Sequence, residues 1–371
     1  MNVIVLFGGK SCERDISIIT ALQAMGSMAN HNILPVFIGD SGMYTGTAMQ
    51  NINTYREIDT MKMNEVIIRY GKVYLIKNNK LKELFTPDTA LICCHGGMGE
   101  NGCLQGLLEL NGIPYTSSGV LQSAVGMDKV IMKRLFNEML LNTVPYATLT
   151  KEMICEDMTS CITVIESRIN YPVIVKPCAQ GSSIGIKIAK DKKELIEGLI
   201  TASYYDKDII VEEALTDMTE VNCAAVSDNG RIIVSAIEKP VGWNEFLTFE
   251  DKYILKGEKG SNSPQRELPA KINDTTAKCV KGLTERIYTG LGLSGVVRID
   301  YMIDNKSGKI YVNEFNTVPG SLSYYLFEPL GIEFTELIGI MLNESIRIKK
   351  IKDNAVTYFP SRVLSDFKGK F

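Results

Sequence analysis

The chain has 371 residues, a length that exceeds one ordinary hydrophobic core and favours two or three domains. Its 40 basic and 43 acidic residues give a formal net charge of -3, which excludes the general positive field that attracts nucleic acids and anionic membranes. No stretch approaches the roughly 18 apolar residues of a membrane span, and the start MNVIVLFGGK predicts a first strand rather than a signal peptide. We therefore expect no nucleic-acid partner and no membrane partner.

Cysteine and histidine usage narrows the chemistry. The nine cysteines are odd in number and form no CxxC pair, which argues against a zinc ribbon and a disulfide framework and favours a reducing, cytoplasmic location. The only histidines are His31 and His95, so a mechanism built on a histidine cluster is excluded. Carboxylates, lysines, arginines and backbone amides must carry any catalysis.

The first third of the chain alternates apolar runs with a helical pattern. Short apolar runs at residues 3–7, 33–38 and 90–94, with a helical pattern at 16–29, predict a parallel α/β layer. Gly8-Gly9 and Gly96-Gly97 each follow a predicted strand, where open α/β sheets hold their ligands.

The remaining two thirds predict one helix and three hairpins. Residues 128–141 have helical periodicity, and Val144-Pro145 ends that helix. YPVIVKPCAQGSSIG followed by IKIAK predicts a hairpin, and further hairpins should turn at Asn229-Gly230 and around residues 305–308. We place domain boundaries near residues 121 and 212, which gives segments 1–121, 122–211 and 212–371.

A cation site is predicted where the last hairpin ends. In VRIDYMID, Arg298 and Asp300 lie on one strand face, and in YVNEFNTVPG the same period of two brings Glu314 and Asn316 together. If these strands pair, three oxygen donors converge beside a guanidinium, and oxygen ligands suit Mg²⁺ that completes its shell with water and phosphate. The alternative is a surface hairpin with scattered charges.

A phosphate site is predicted at KPCAQGSSIG. Backbone amides in such a glycine-containing turn form an anion-binding concavity, and Lys176 adds a point charge. Lys129, at the head of a helix, is a second phosphate candidate, although a solvated lysine is the alternative. The strand end IIVEEAL, with Glu212 and Glu213, is suited to hold an adenine and a ribose, and Glu220 is either a ribose ligand or a surface acid.

Taken in order, these motifs resemble a known family. VLFGGKSCERDIS, CHGGMGENG, LQGLLELNGIPYTSSGVLQSAVGMDK, VKPCAQGSSIG, FEDKY, RID and NEFNTVPG follow one another as in the D-alanine–D-alanine ligases, and the resemblance extends to about residue 345. It implies an α/β protein with a three-domain ATP-grasp fold and an N-terminal open parallel α/β domain. It also implies an ADP-forming ligase that makes D-alanyl-D-alanine for peptidoglycan precursors, with ATP and two Mg²⁺ ions (or Mn²⁺), acting as a cytoplasmic homodimer.

The resemblance implies roles around the substrates. Glu13 would hold the ammonium of the first D-alanine, His95 would border the same substrate, and Arg298 with the Gly320 amide would form the oxyanion site. Tyr253 would join Glu13 and Ser182 in a hydrogen-bonded trio beneath the substrates.

It also implies the groups that hold the nucleotide and the metal. The residues that would contact phosphates or close over them are Lys129, Lys176, Ser182, Ser183 and Lys252. Those that would contact adenosine are Glu212, Glu213, Leu215, Glu220 and Phe246. The magnesium ligands would be Asp300, Glu314 and Asn316.

The segment after Gly320 departs from the family pattern. This chain reads GSLSYYLFEP, with Tyr325 where the family usually has a serine that binds the acceptor carboxylate. Ser321, Ser323 and Tyr325 are therefore the candidate acceptor contacts. Two alternatives stay open: a related ligase whose acceptor is D-serine, D-lactate or another amino acid, and a nucleotide-binding relative without catalysis. A tail from about residue 347 extends beyond the usual end of the family.

Overall fold

The computed structural model describes residues 1–179, 184–240 and 266–356, which form three β-sheets with helices packed against them. The strands are β1 Asn2–Gly8, β2 Asn32–Ile38, β3 Met43–Thr45, β4 Asn64–Arg69, β5 Lys72–Lys77, β6 Lys80–Phe85, β7 Thr89–Ile92, β8 Tyr146–Thr150, β9 Val173–Pro177, β10 Lys187–Ala189, β11 Asp208–Glu213, β12 Met218–Asp228, β13 Arg231–Pro240, β14 Arg266–Glu267, β15 Val297–Asp304 and β16 Ile310–Asn316. The helices are α1 Arg14–Gly26, α2 Cys103–Leu110, α3 Val120–Gly126, α4 Lys129–Glu138, α5 Lys151–Glu156, α6 Met158–Glu166, α7 Lys192–Ser203, α8 Asp274–Gly290 and α9 Phe334–Asp353.

The first sheet has seven strands in the order β6-β5-β4-β3-β2-β1-β7. Strand β1 pairs in parallel with β2 and β7, as the sequence predicted. Strands β3 to β6 extend this sheet in antiparallel fashion, which the sequence analysis did not predict. The extension is built from short, consecutive strands that contain charges of both signs. Their alternation of apolar and polar residues is too weak to predict strands from the sequence. Its tight turns use positive φ at Tyr70, Gly71, Asn78 and Asn79.

The second sheet, in the order β10-β9-β11-β8, is antiparallel throughout. Pairing of β9 with β10 confirms the hairpin predicted around the KPCAQGSSIG motif. One face of the sheet packs on α5 to α7 through a buried aliphatic core that includes Val175, Leu195 and Leu199. The motif lysine therefore projects from a rigid strand rather than from a loop.

The third sheet has the order β14-β13-β12-β15-β16. Asn229 and Gly230 both have positive φ between β12 and β13, as their two-residue turn requires, and that predicted hairpin is confirmed. The hairpin of β15 and β16 is confirmed as well. Helices α4 and α8 cover this sheet, and Phe136 and Tyr288 lie in the shared core.

Hydrogen bonds between serine hydroxyls and backbone groups, with one close backbone approach, join the layer of the first sheet to the layer of the third sheet. Ser118 Oγ donates to the Ser294 carbonyl and accepts from the Ser294 amide, and Ser294 Oγ donates to the Ser117 carbonyl. At Gly295, with φ of +70°, an added Cβ would clash with the Thr116 carbonyl oxygen, so only glycine permits this approach. We call residues 116–118 and 294–295 the serine seam.

Helix α9 returns from the third sheet to the first. Its Ser345 hydroxyl lies 2.7 Å from that of Thr89 on β7, and its buried side chains Leu337, Ile338 and Met341 join the core of the first sheet. The last strand of the second sheet ends at Glu213, and the next strand, which belongs to the third sheet, begins at Met218. The domain boundaries near residues 121 and 212 stay a proposal. Among the described residues, no helix is long and apolar enough to cross a membrane.

Candidate active site

Glu13 lies where the first layer presents its glycine-rich loops. It is the residue immediately before α1, and its side chain packs against the turn that follows β7, because a Cβ at Gly96 would come within 2.5 Å of Glu13 Oε2. Gly96 has φ of +65°, which glycine adopts without strain. The two glycine motifs identified in the sequence therefore meet at one carboxylate.

His95 connects this layer to the segment that leads to Gly320. Its Nδ1 lies 2.7 Å from the Val318 carbonyl oxygen, which can only accept, so Nδ1 carries the proton. Its Nε2 therefore accepts from the Thr20 hydroxyl at 2.8 Å, and Thr20 Oγ1 in turn accepts from the Ser321 amide. Burial lowers the pKa of His95, against the opposing effect of Glu13, so the ring is neutral. His95 orients backbone here.

A buried glutamate that the sequence analysis did not single out lies beside His95. Glu100 accepts from the Gly96 amide at 2.7 Å and from the Val318 amide at 3.0 Å, with one carboxylate oxygen for each. Burial and the nearby Glu13 raise the pKa of Glu100 to about 8, although both amide hydrogen bonds favour the charged form. An acidic residue directly after a glycine-rich turn, as in GGMGE, was the available signal.

The segment after Gly320 contains a left-handed turn, Ser321 to Ser323. These three residues have φ of 51°, 50° and 47°, a region that non-glycine residues avoid at a cost of roughly 1–2 kcal/mol each. The turn is held because the Ser321 amide donates to Thr20 and Leu322 is buried in the first core. Ser323 is fully buried, and its Oγ has no hydrogen-bond partner among the described residues. Backbone strain retained in this way is typical of functional sites.

A buried lysine cluster, formed by Lys133, Lys176 and Glu212, joins α4 to strands β9 and β11 of the second sheet. Lys176 Nζ is 2.6 Å from Glu212 Oε2, and Lys133 Nζ is 3.1 Å from Glu212 Oε1. Burial alone would raise the pKa of Glu212, but the two lysines outweigh it and lower that pKa to about 2. Burial lowers the pKa of Lys133, whereas for Lys176 the Glu212 partner outweighs burial and raises it. Each Glu212 oxygen therefore faces a lysine, although only Lys176 donates a hydrogen bond to it with suitable geometry. Lys133 is a member of this cluster that the sequence analysis missed.

The paired strands β15 and β16 bring the predicted cation ligands together. Asp300 pairs with Glu314 and Arg298 with Asn316 across the ladder, so the predicted pairing is confirmed. Arg298 Nε and Nη2 donate to the two Asp300 oxygens at 2.7 and 2.8 Å, and Asn316 Nδ2 donates to Asp300 Oδ2 at 3.2 Å. The Arg298 side chain is half-buried, and Asp300 outweighs the effect of burial and raises the pKa of the guanidinium well above its ordinary value.

This donor set fits magnesium. Within the described ranges, no group of three or more His, Cys, Asp or Glu side chains is placed to hold a metal by itself. Two carboxylates and one carboxamide oxygen are instead an incomplete oxygen set, of the kind Mg²⁺ completes with water and substrate phosphate. Lys129 Nζ lies 3.5 Å from Glu314 Oε2, and Glu314 also acts electrostatically on Lys176, so the cation ligands and phosphate lysines adjoin.

Comparison with known proteins follows from this geometry. The family model for the N-terminal part of D-Ala–D-Ala ligases matches residues 2–118, and the model for the C-terminal part matches residues 135–343. A D-alanine–D-alanine ligase of Thermosipho melanesiensis is 34% identical over all of both chains, and one of Thermosipho africanus is 36% identical over 95% of each. The chain belongs to the D-alanine–D-alanine ligase family.

A solved structure supports the same fold. The VanG D-Ala:D-Ser ligase of Enterococcus faecalis superimposes with a TM-score of 0.78 at 26% identity, over 93% of this chain and 99% of that one. The family, its ligase activity and the ATP-grasp fold predicted from the motifs are therefore confirmed. The roles of individual residues remain predictions.

The segment after Gly320, which departs from the pattern of the D-alanine–D-alanine ligase family, contributes Tyr325 to a separate polar cluster. The Tyr325 hydroxyl donates to Glu238 Oε2 at 3.0 Å, and the Arg266 guanidinium lies 3.9 Å from the centre of the Tyr325 ring. Burial and the adjacent Glu238 raise the pKa of Tyr325, so its hydroxyl stays protonated as a donor. Arg298 and Tyr325 act on each other electrostatically, which places this cluster next to the predicted oxyanion group.

The remaining predicted residues divide into two sets. Glu213 and Leu215 lie half-buried at the end of β11, where the Glu213 amide already donates to the Pro145 carbonyl, and Glu220 is half-buried on β12. Gly320 packs against Ile16 of α1. The predicted residues that lie outside the described ranges are Ser182, Ser183, Phe246, Lys252 and Tyr253.

Proposed function

We propose that the protein joins two D-alanine molecules in an ATP-dependent reaction that passes through an acyl phosphate and yields ADP. The observation that carries this proposal is the paired register of Arg298, Asp300, Glu314 and Asn316, which brings the proposed cation ligands and the proposed oxyanion group onto one strand pair. Membership in the family supports the same reaction.

The first step activates a carboxylate. A carboxylate is a poor electrophile, but transfer of the γ-phosphoryl group to the first D-alanine makes an acyl phosphate with a good leaving group. We propose that Glu13 holds the ammonium of that D-alanine and that Lys176 and Lys129 hold the nucleotide phosphates. The lysine cluster supports this role, because Glu212 fixes the Lys176 ammonium and keeps it charged.

Asp300, Glu314 and Asn316 would hold the magnesium. The bound cation would neutralise the negative charge that spreads over the phosphoryl oxygens. The protein orients the Asp300 carboxylate. Arg298 donates two hydrogen bonds to it, and Asn316 donates a third.

The second step forms the peptide bond. The amine of the second D-alanine attacks the acyl carbon, an oxyanion develops, and phosphate leaves. We propose that Arg298 and the Gly320 amide stabilise this oxyanion, a type of contact whose loss typically costs about a hundred- to a thousand-fold in rate. The strained left-handed turn next to Gly320 supports the assignment, since it fixes the backbone at that point.

We propose D-alanine as the first-choice acceptor, bound near the left-handed turn and Tyr325. An acceptor carboxylate needs donors, because an unpaired buried charge costs several kcal/mol. The Ser321 and Ser323 hydroxyls and the Arg266 guanidinium lie in this region, whereas the Ser321 and Leu322 amides already donate to Thr20 and to the Pro319 carbonyl. Tyr325 shapes the acceptor pocket, and its hydroxyl donates a hydrogen bond to Glu238.

Product formation tests the proposal. Purified protein is given ATP, Mg²⁺ and D-alanine, ADP release is followed with and without D-alanine, and product mass is read against a panel with D-serine, D-lactate and other D-amino acids. D-alanyl-D-alanine as the main product is expected. Release of ADP with another acceptor only would identify a related ligase, and nucleotide binding without ADP release would identify a non-catalytic relative.

We also propose a cytoplasmic homodimer, an expectation that comes from the family resemblance. Native mass spectrometry, which separates a chain of 41.1 kDa from its dimer, tests the assembly.

A further inference from the structure

Glu100 is the buried carboxylate that none of the family roles above uses. It is 8% exposed, and its two oxygens accept from backbone amides 222 residues apart in sequence, those of Gly96 and Val318. The first amide belongs to the turn packed against Glu13, and the second lies two residues before Gly320.

These two amides belong to opposite ends of the proposed substrate site. Glu13 is the proposed partner of the first D-alanine's ammonium, and the Gly320 amide is a proposed oxyanion donor for the carboxyl end of the same molecule. The ammonium and the carboxyl carbon of an amino acid are separated by a fixed, short distance. A catalytic arrangement therefore requires that the two protein elements keep a fixed separation.

We propose that Glu100 is a positioning residue that sets this separation, by holding the Gly96 turn and the Val318–Gly320 segment on one carboxylate. The inference rests on the proposed function. Glu100 touches neither substrate and acts through Glu13 and Gly320. His95 and Thr20 hold the same segment from the other side, through the Val318 carbonyl and the Ser321 amide, so Val318 is fixed at both its amide and its carbonyl.

The charge state of Glu100 matters for this role. A carboxylate is a stronger acceptor for amide donors than a neutral acid. The charged and titratable groups that act on it are Glu13 and Arg298, and it acts in turn on the Cys94 thiol. As the pH rises through about 8, Glu100 becomes the carboxylate and both hydrogen bonds strengthen.

The experiment compares Glu100→Gln with Glu109→Gln. Glu109, on α2, also links the first layer to α9, through Lys352, but it is far more exposed, and its side-chain partners in the described part of the chain, Lys352 and Tyr115, are not proposed site residues. In Glu100→Gln the amide NH₂ must face one backbone N–H, so one of the two anchoring bonds is lost. Above about pH 8, where Glu100 is a carboxylate, we expect kcat to fall about ten- to a hundred-fold, the order associated with a misplacement of about 1 Å, and the KM for the first D-alanine to rise. The KM for ATP should stay within about twofold, because the lysine cluster is untouched.

A pH profile separates positioning from general structure. The ratio of wild-type to Glu100→Gln kcat should increase as the pH passes through about 8, and the corresponding ratio for Glu109→Gln should stay flat. A ratio that is independent of pH, together with equal losses in the KM for ATP and for D-alanine, would overturn the proposal.

A measurement on the unaltered protein covers the case in which Glu100→Gln does not fold. With ¹⁵N-valine labelling, the Val318 amide resonance, assigned through Val318→Ile, should shift with a midpoint near pH 8. An invariant resonance would count against the proposal. If wild-type protein forms no dipeptide while this resonance titrates, the proposed function fails but the Glu100 contact stands.

Discussion

The lysine cluster and the left-handed turn hold their functional groups in opposite ways. Lys133, Lys176 and Glu212 are buried side chains on a helix and two strands, and ion pairs hold them. The left-handed turn consists of strained backbone, held by one hydrogen bond to Thr20 of α1 and by the burial of Leu322 in the first core. The comparison teaches that the phosphate side is fixed by charge pairing between neighbouring buried side chains, whereas the acceptor side depends on strained backbone that α1 and the first core hold in place.

The largest effect is expected on the free energy of unfolding when the lysine cluster loses its glutamate. Glu212→Gln leaves two buried lysines without their counter-ion, which should lower the free energy of unfolding by about 3–5 kcal/mol, measured by urea denaturation. Because the folded-state pKa of Glu212 lies near 2, below its unfolded value, its contribution is present above the unfolded pKa and is lost as the pH falls toward 2. Unfolding of Glu212→Gln should lack that acid dependence. Equal stability of the two proteins at neutral pH would show that local charge pairing does not hold this side.

Next in size is the effect at the cation ligands. Glu314→Gln removes one anionic ligand and should reduce turnover about a hundred-fold or more at limiting Mg²⁺, the order expected when one charged group leaves a phosphoryl-transfer site. The melting temperature should change little, because Glu314 is only partly buried at a strand end. ADP formation is the measurement, and an unchanged rate would remove Glu314 from the metal site.

Glu13→Ala sharpens the contrast between the two substrates. Loss of a charged hydrogen bond, worth about 1.5–3 kcal/mol, should raise the KM for the first D-alanine about ten- to a hundred-fold and leave the KM for ATP nearly unchanged. The alternative role of Glu13, as an acid at a helix N-terminus, predicts only a loss of about 0.3–1 kcal/mol in stability. Steady-state kinetics with each substrate varied separates the two.

The smallest effect is expected in the left-handed turn. Ser321→Gly relieves the positive φ of one residue and should raise the free energy of unfolding by about 1 kcal/mol. If the fixed backbone matters for catalysis, kcat should fall at the same time, since glycine also loosens the turn. Thermal unfolding and acceptor kinetics on one preparation check both, and Ser307→Gly, in the exposed turn between β15 and β16, is the control. A destabilised Ser321→Gly would contradict the strain argument.

Sequence reasoning reached the parts of the site that repeat a local pattern. The period of two on β15 and β16 was sufficient to place Asp300, Glu314 and Asn316 together, and the motif order was sufficient for the family. It did not reach Glu100 or Lys133, because their roles depend on partners 218 and 79 residues away, which no local spacing encodes. The left-handed turn was hidden for a different reason: SLS contains no glycine, so nothing in its composition signals positive φ.

The serine seam has a consequence for motion in the protein. Backbone contacts at Ser118, Ser294 and Gly295 lock the first layer to the third, and the Ser345–Thr89 contact closes the same joint from the other end. Among the described residues, the contacts of the second sheet with the rest of the protein include the hydrogen bond from the Lys129 amide to the Cys178 carbonyl and the ion pair of Lys133 with Glu212. We therefore expect the first and third layers to behave as one rigid block and the second sheet to be the part that swings, opening for the nucleotide and closing once it is bound.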